Sequence, residues 1–281
     1  MPPAPPTPRL DAHQHFWNYS AAEYPWMRPE WPIRRDFLPE HLEPLLADAG
    51  LDGSIAVQAR QSMVESRWLL ELADRHALIR GVVGWVDLRD ENVAVQLAEL
   101  ASYPKFVGVR HVVQDEPDHR FMLGPDFLRG IAQLERFDLT YDLLVFPRQL
   151  PAAIELVRRF PAQPFVLDHI AKPSIEARVL SPWREQIVEL ASHPNVSCKV
   201  SGMVTEANWS TWQPSDLRPY LDVVFGAFGE DRLMFGSDWP VCLLAGSYHR
   251  VHAVIREYVA GLPTTVAPKV FGRNAARAYG I

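Results

Sequence analysis

The chain has almost no cysteine. Cys198 and Cys242 are the only two in 281 residues, and they lie far apart. A disulfide framework or a zinc ribbon needs more thiols at closer spacing, so both are excluded and a reducing, cytoplasmic compartment is expected. Long apolar runs are missing as well; none reaches the roughly 18 residues that a membrane-crossing helix needs. There is no basic block. Net charge is −6 with acids and bases interspersed, which argues against nucleic acid or an anionic membrane surface as partner. No GxGxxG or P-loop follows any strand-like stretch, which disfavours a nucleotide-binding sheet. The opening MPPAPPTPR lacks the apolar segment of a signal peptide, so residues 1–8 read as a disordered proline-rich tail before one domain over 9–281.

What is present is a core and a rhythm. Apolar residues make up 48% of the chain, enough for a globular protein. Eight short stretches rich in Val, Ile and Leu read as strands: 9–15, 53–59, 80–87, 106–111, 139–145, 164–169, 195–200 and 233–238. Strands buried on both faces have this composition. Helical stretches alternate with them at 39–49, 64–77, 91–102, 125–137, 149–160, 182–193, 214–229 and 248–260. A last helix over 264–279 would cap the C-terminus. Eight β/α repeats predict a single-domain α/β fold, the (β/α)8 TIM barrel, over a doubly wound sheet with fewer strands. Residues 16–38, rich in aromatics, are too long for a simple connection; they are either a lid over the barrel mouth or a packed surface loop.

Polar residues gather at the C-terminal ends of the strands, where barrels carry their chemistry. In DAHQHFW, residues 11–17, alternation points His13 and His15 the same way, with Asp11 on that face one step deeper. Strand 2 ends in Gln58 and Arg60, and strand 4 in Arg110 and His111. Strand 5 carries Asp142, strand 6 ends in Asp168-His169, strand 7 in Lys199 and strand 8 in Asp238. A buried charge costs several kcal/mol unless paired, so a merely structural barrel would avoid this many. The cluster therefore reads as functional.

Several stretches carry a family resemblance: DAHQHFW (11–17), AVQAR (56–60), GVVGWVDL (81–88), VGVRHVVQDEPD (107–118), VLDHIAKP (166–173), CKVSGMVTEA (198–207), FGSDWPVC (235–242) and FGRNAARAYG (271–280). With them the chain resembles the amidohydrolase superfamily, and within it the branch of sugar-lactone hydrolases acting on L-fuconolactone and L-rhamnonolactone. The resemblance implies that His13, His15, His169 and Asp238 converge at the barrel mouth and hold one divalent metal, zinc by preference. Strand 5 offers no histidine, so no second metal site is expected. Relatives that open lactones without metal leave a metal-free site open.

The implied activity is hydrolysis of an aldonolactone to the free acid. Asp238 would activate water. A metal on His13, His15 and His169, or these histidines with Lys199, would polarise the carbonyl. Gln58, Arg110, His111, Asp142, Lys172 and Lys199 would hold the substrate's polar groups, and Trp26 and Trp239 would stack on its ring. Structural alternatives are an Arg110–Asp142 ion pair, a loop role for Lys172 and simple packing for Trp239. Rival functions are hydrolysis of an aromatic-derived dicarboxylate lactone or decarboxylation of an aromatic acid, with Arg60, Arg110 and Lys199 gripping carboxylates. An inactive barrel serving as a binding protein is a third. A homo-oligomer is left open.

Overall fold

The computed structural model describes residues 7–281. The expected tail, 1–8, falls mostly outside the described residues. Eight parallel strands follow one another in order around one sheet. They are β1 (Leu10–Gln14), β2 (Gly53–Val57), β3 (Ile79–Gly84), β4 (Phe106–His111), β5 (Thr140–Leu143), β6 (Phe165–Leu167), β7 (Val196–Val200) and β8 (Leu233–Phe235). A parallel bridge between Gln14 and Trp239 joins the last turn to the first strand and closes the barrel. The TIM barrel expected from the β/α rhythm is the fold observed.

Helices α1 (Pro39–Ala49), α2 (Met63–Arg75), α3 (Val93–Leu100), α4 (Pro125–Leu134), α5 (Leu150–Arg159), α6 (Trp183–Ala191), α7 (Pro214–Phe228) and α8 (Tyr248–Ala260) separate or follow the strands. Their boundaries have local causes. Pro39 opens α1 and left-handed Gly50, at φ 67°, ends it. The hydroxyl of Ser62 accepts from the Val64 N–H at the start of α2. The C-terminal helix expected over 264–279 is broken. A single turn, α9 (Val266–Pro268), gives way to a wide turn over Lys269–Arg273 before α10 (Asn274–Tyr279). The break lets the chain pass close to Pro8: a side chain at Gly272 would stand 2.3 Å from the Pro8 carbonyl oxygen.

The barrel interior is filled from below. Leu10, Ala12, Ile55, Val57, Val83, Val107, Val166 and Met234 pack with Ala275 and Tyr279 of α10, which plugs the N-terminal end. A second, larger cluster lies between strands and helices. Residues 16–38 are a packed body: Trp17 and Phe37 exchange backbone hydrogen bonds of 2.9 Å, and Phe16, Trp17, Tyr24, Met27, Ile33 and Phe37 are buried. No helix of the described residues is long and apolar enough to cross a membrane.

Two glycines in helices should respond oppositely to alanine. Gly226 in α7 is exposed, with no neighbour within 4 Å of a new Cβ. Gly226→Ala should raise unfolding free energy by about 0.5–1 kcal/mol, since alanine is the better helix former. A Cβ at Gly130 in α4 would lie 2.0 Å from the Leu88 carbonyl oxygen. Gly130→Ala should lower stability by about 1–3 kcal/mol through overpacking. Urea unfolding of both variants checks the sign of each.

Candidate active site

The site is built where the strands end. His13 and His15 both turn inward at the end of β1, as alternation predicts. Asp11 does not join them. The register of β1 against β2 slips between Asp11 and Gln14, and Leu10 and Ala12 fill the interior below His13. The Asp11 carboxylate instead accepts from the backbone N–H of His13 (3.1 Å), the N–H of Ser237 (2.9 Å) and the Tyr248 hydroxyl (3.1 Å). It braces the β1–β8 seam.

His169 and Asp238 lie past their strands, which end sooner than expected. The backbone after β6 is left-handed for four consecutive residues, His169, Ile170, Ala171 and Lys172, with φ between 48° and 61°. Such strain in non-glycine residues persists only where the surroundings enforce it. Here the Trp183 indole donates to the Ile170 carbonyl at 2.8 Å. Asp238 is also left-handed, at φ 57°, and its N–H donates to the His13 carbonyl at 2.8 Å.

Two glycines missed in the sequence make room. A Cβ at Gly202 would lie 2.4 Å from the His169 ring, and one at Gly236 would lie 2.6 Å from the His13 Cβ. Both sit inside the matching stretches CKVSGMVTEA and FGSDWPVC, where the small residue is the signal.

The four residues meet. Asp238 Oδ1 stands 3.4 Å from His15 Nε2, 3.8 Å from His13 Nε2 and 3.9 Å from His169 Nε2, and the Nε2 atoms of His13 and His15 are 3.2 Å apart. Each ring is held from its other nitrogen. His15 Nδ1 lies 2.8 Å from the Val57 carbonyl, His169 Nδ1 lies 2.9 Å from the Ser201 hydroxyl, and His13 Nδ1 lies 3.2 Å from Asp168 Oδ1. The Val57 carbonyl can only accept, so His15 carries a proton on Nδ1, which in the neutral ring leaves Nε2 bare. An Nδ1–H turned toward Asp168 or Ser201 would bare Nε2 on His13 and His169 in the same way. This is the arrangement in which outer partners orient metal-binding imidazoles. Burial lowers the basicity of His13 and His169 well below the usual imidazole range, so both are neutral. Burial alone would raise the Asp238 carboxyl, but His169 and His15 outweigh it and pull it below the usual carboxylate range. Three imidazoles and one carboxylate suit a divalent ion such as zinc. His13, His169 and Asp238 also stand out by geometry alone: one donor atom from each lies within 4.8 Å of the others.

Beneath the histidines lies a charge cluster. Lys199 Nζ contacts Asp142 Oδ2 at 2.5 Å, Asp168 Oδ1 at 3.0 Å and His13 Nδ1 at 3.3 Å. Arg110 Nη1 donates to Asp168 Oδ2 at 2.9 Å, and its Nη2 donates to the Gln58 carbonyl. The Arg110–Asp142 pair, raised from the sequence as a structural alternative, is not formed; two other pairs take its place, although the two residues are partners in the β4–β5 register. Asp168, not singled out from the sequence, is the centre of the cluster. Burial pushes its carboxyl up, but Lys199, His13 and Arg110 hold it well below the usual range.

Above the histidines opens a cavity of about 690 Å³. Of the expected substrate-binding residues, Arg110, Lys172 and Trp26 line it. Gln58, Asp142 and Lys199 are fully buried behind it. His111 points outward from β4 and donates to the Glu116 carboxylate, 2.7 Å away, while stacking on Phe121. Trp239 is packed between Phe16 and Phe37 in the core. Trp31 and Trp209, unpredicted, extend the Trp26 wall: ring centroids are 6.3 Å apart for Trp26–Trp31 and 5.7 Å for Trp31–Trp209.

A TIM barrel with three histidines and one aspartate converging at its C-terminal mouth has the form of a metal-assisted hydrolase. The profile of the amidohydrolase family matches residues 10–281, and the chain belongs to that family. It is 45% identical to an L-fucono-1,5-lactonase of Burkholderia multivorans over 97% of this chain and 96% of that one. It is 40% identical to an L-fucono-1,5-lactonase of Burkholderia ambifaria, with the same shares covered. A crystal structure of an amidohydrolase from Burkholderia multivorans with bound zinc superposes with a TM-score of 0.93, at 45% identity, covering 97% of this chain and 99% of that one.

Two predictions follow from burial. Asp168→Asn leaves Lys199 and Arg110 short of a countercharge and should cost about 3–5 kcal/mol in urea unfolding. Glu99→Gln, which breaks the exposed Arg67–Glu99 pair, should cost under about 1 kcal/mol. The second concerns Glu65, which accepts from the N–H groups of Ala59 and Arg60 at 2.9 Å and from the Tyr24 hydroxyl at 3.0 Å, bracing one cavity wall. Burial pushes its carboxyl from 4.5 up to about 7. The folded state therefore binds the extra proton between these values, and stability falls as pH rises from 4.5 through 7. Glu65→Gln should remove that component, so its stability relative to wild type should be higher at pH 8 than at pH 4.5. A pH-independent difference would refute it.

Proposed function

We propose that this chain hydrolyses a neutral sugar lactone of the L-fucono-1,5-lactone kind, with Asp238 as the base. One observation carries the choice of substrate. Each cation lining the cavity already has a carboxylate beside it: Arg60 with Glu23 at 2.5 Å, Arg110 with Asp168 at 2.9 Å and Lys172 with Glu206 at 3.8 Å. A dicarboxylate lactone or an aromatic acid would need a free cation to offset the desolvation of its charge. A polyhydroxylated ring needs hydrogen-bonding groups and an apolar face instead. Gln61, Gln114, Thr205 and Glu206 offer the first, and the tryptophan wall offers the second. The two lactonases at 45% and 40% identity support the same reading.

The reaction adds water across the ring ester. Asp238, ionised at neutral pH, accepts a proton from the water that attacks the carbonyl carbon. The tetrahedral adduct then collapses, the ring C–O bond breaks, and the proton on Asp238 passes to the departing alkoxide. Arg110, at the cavity floor, supplies positive charge near the developing oxyanion. A divalent ion, zinc by the donor set, would be held by His13, His15, His169 and Asp238 and would act there as a Lewis acid. The tryptophan wall excludes water from one side of the ring.

Asp238→Asn should lower kcat by at least about 10²-fold with the fold intact. A pH-indicator screen of aldonolactones, run on metal-loaded and chelated protein, measures this. Near-normal turnover by the variant would remove Asp238 as base. Preference for a carboxylated lactone over every aldonolactone would overturn the substrate assignment.

A further inference from the structure

Tyr279 lies two residues from the end of the chain, in α10, at the opposite end of the barrel from the cavity. Its ring is buried in the barrel interior, and its hydroxyl reaches the Asp142 carboxylate, 2.9 Å from each oxygen. Asp142 contacts Lys199 at 2.5 Å, and Lys199 stands 3.3 Å from His13 Nδ1. The Lys199 ammonium also lies over the Tyr279 ring, 5.4 Å from its centre. A continuous chain of buried groups thus runs from the barrel floor to the first histidine of the site.

The chain matters because His13 Nδ1 has two neighbours with opposite demands. Asp168 Oδ1, 3.2 Å away, can only accept a proton from it. Lys199, 3.3 Å away, can only donate. If Nδ1–H points to Asp168, Nε2 is bare and can bind a metal or accept a hydrogen bond at the cavity floor. If Lys199 donates to Nδ1, the ring proton moves to Nε2 and blocks that use. The position of the ammonium therefore selects the tautomer, and Asp142 sets that position.

We propose that the Tyr279 hydroxyl is a positioning residue for His13: it holds Asp142, and through it Lys199, low in the barrel, so that His13 keeps its proton on Nδ1. The proposal rests on the lactonase reading only for its kinetic test. The ammonium already stands at hydrogen-bond distance from Nδ1, so loss of the hydroxyl, by loosening Asp142, lets it shift its donation from the carboxylates to Nδ1 and lowers the share of His13 with a bare Nε2.

The test uses the full chain with Tyr279→Phe, Asp142→Asn, both together, and Thr140→Val. Thr140 Oγ1 donates to the Ala278 carbonyl at 2.7 Å, so the last variant removes one anchor of α10 while keeping the Tyr279 hydroxyl and every other group of the chain. Two quantities are read: zinc affinity of metal-stripped protein, by competition with a chromogenic chelator, and kcat and KM on an aldonolactone. Tyr279→Phe should weaken zinc binding and lower kcat by about tenfold each, the scale for loss of an outer partner. KM should stay within about twofold. Asp142→Asn breaks the same link from the other side, and the double variant should be no worse than the poorer single one. Thr140→Val should melt earlier yet keep both quantities. Unchanged zinc affinity and kcat in Tyr279→Phe would overturn the proposal, as would additive losses in the double variant or equal losses in Thr140→Val. Wild-type protein that binds zinc but opens no lactone would reject the lactonase reading alone, with the zinc measurements still deciding the role of Tyr279. Wild-type protein that does neither would overturn both.

Discussion

Lys199 and Arg110 are shut inside the barrel directly beneath His13, with Asp142 and Asp168 as countercharges. Two cations and two anions in one buried cluster sum to zero, which is the condition for burying any of them. An unpaired charge there would be strongly destabilising, whereas apolar side chains of the same volume would often be as stable or more so. The cluster is therefore weakly justified as a source of stability. Its geometry is what the site uses. Lys199, Arg110 and His13 all converge on Asp168, and the fixed Asp168 carboxylate fixes the His13 ring.

From that fixed ring the rest of the mouth can be assembled. His15 and His169 are anchored by neutral partners, the Val57 carbonyl and the Ser201 hydroxyl. His13 alone is anchored by an ion. All three present Nε2 to Asp238, which accepts no proton in the resting site because burial keeps His13 and His169 neutral. The cavity above inherits the same balance. Its three cations are each matched by a carboxylate, so what it offers beyond paired charges is hydrogen-bonding groups and the apolar tryptophan wall. A charge-balanced rim and a charge-balanced floor are two consequences of one pattern of pairing.

The barrel was legible in the sequence because it is periodic. Strands buried on both faces leave Val/Ile/Leu-rich stretches, and eight of them alternating with helices admit few folds. His13 and His15 were legible as neighbours on one face, and His169 and Asp238 through their loaded strand ends. What alternation could not reach was anything beyond a register slip or a left-handed turn. Asp11 was assigned to the interior because the slip in β1 was invisible, and Asp168 was passed over beside the more conspicuous His169. His111 differs from Arg110 by one residue and so faces the opposite way. Trp239 faces the core because the chain turns sharply after Asp238. Tyr279 and Gly202 were out of reach for a different reason: their partners lie 137 and 33 residues away in the chain, by subtraction from Asp142 and His169. Pairing of β6 with β7 brings Gly202 to His169, and the plugging of the barrel by α10 brings Tyr279 to Asp142.

Two aspartates flank His13, and the structure divides labour between them. Asp168 lies on the Nδ1 side, 3.2 Å away, and Asp238 on the Nε2 side, 3.8 Å from that nitrogen. Both are carboxylates held below the usual range, yet by different neighbours. Asp168 is engaged by Lys199 and Arg110 and has no freedom to move a proton. Asp238 faces the three imidazoles and the cavity, with no Lys or Arg within ion-pair distance among the described residues. Exchanging these roles would fail. A carboxylate fixed by two cations is too weak a base, and one facing only imidazoles could not hold a buried lysine and arginine in place. The charges beneath the histidines thus do more than orient them. By engaging Asp168, they leave Asp238 as the carboxylate at this floor with no cation beside it, the one to which the proposed mechanism assigns the proton from water.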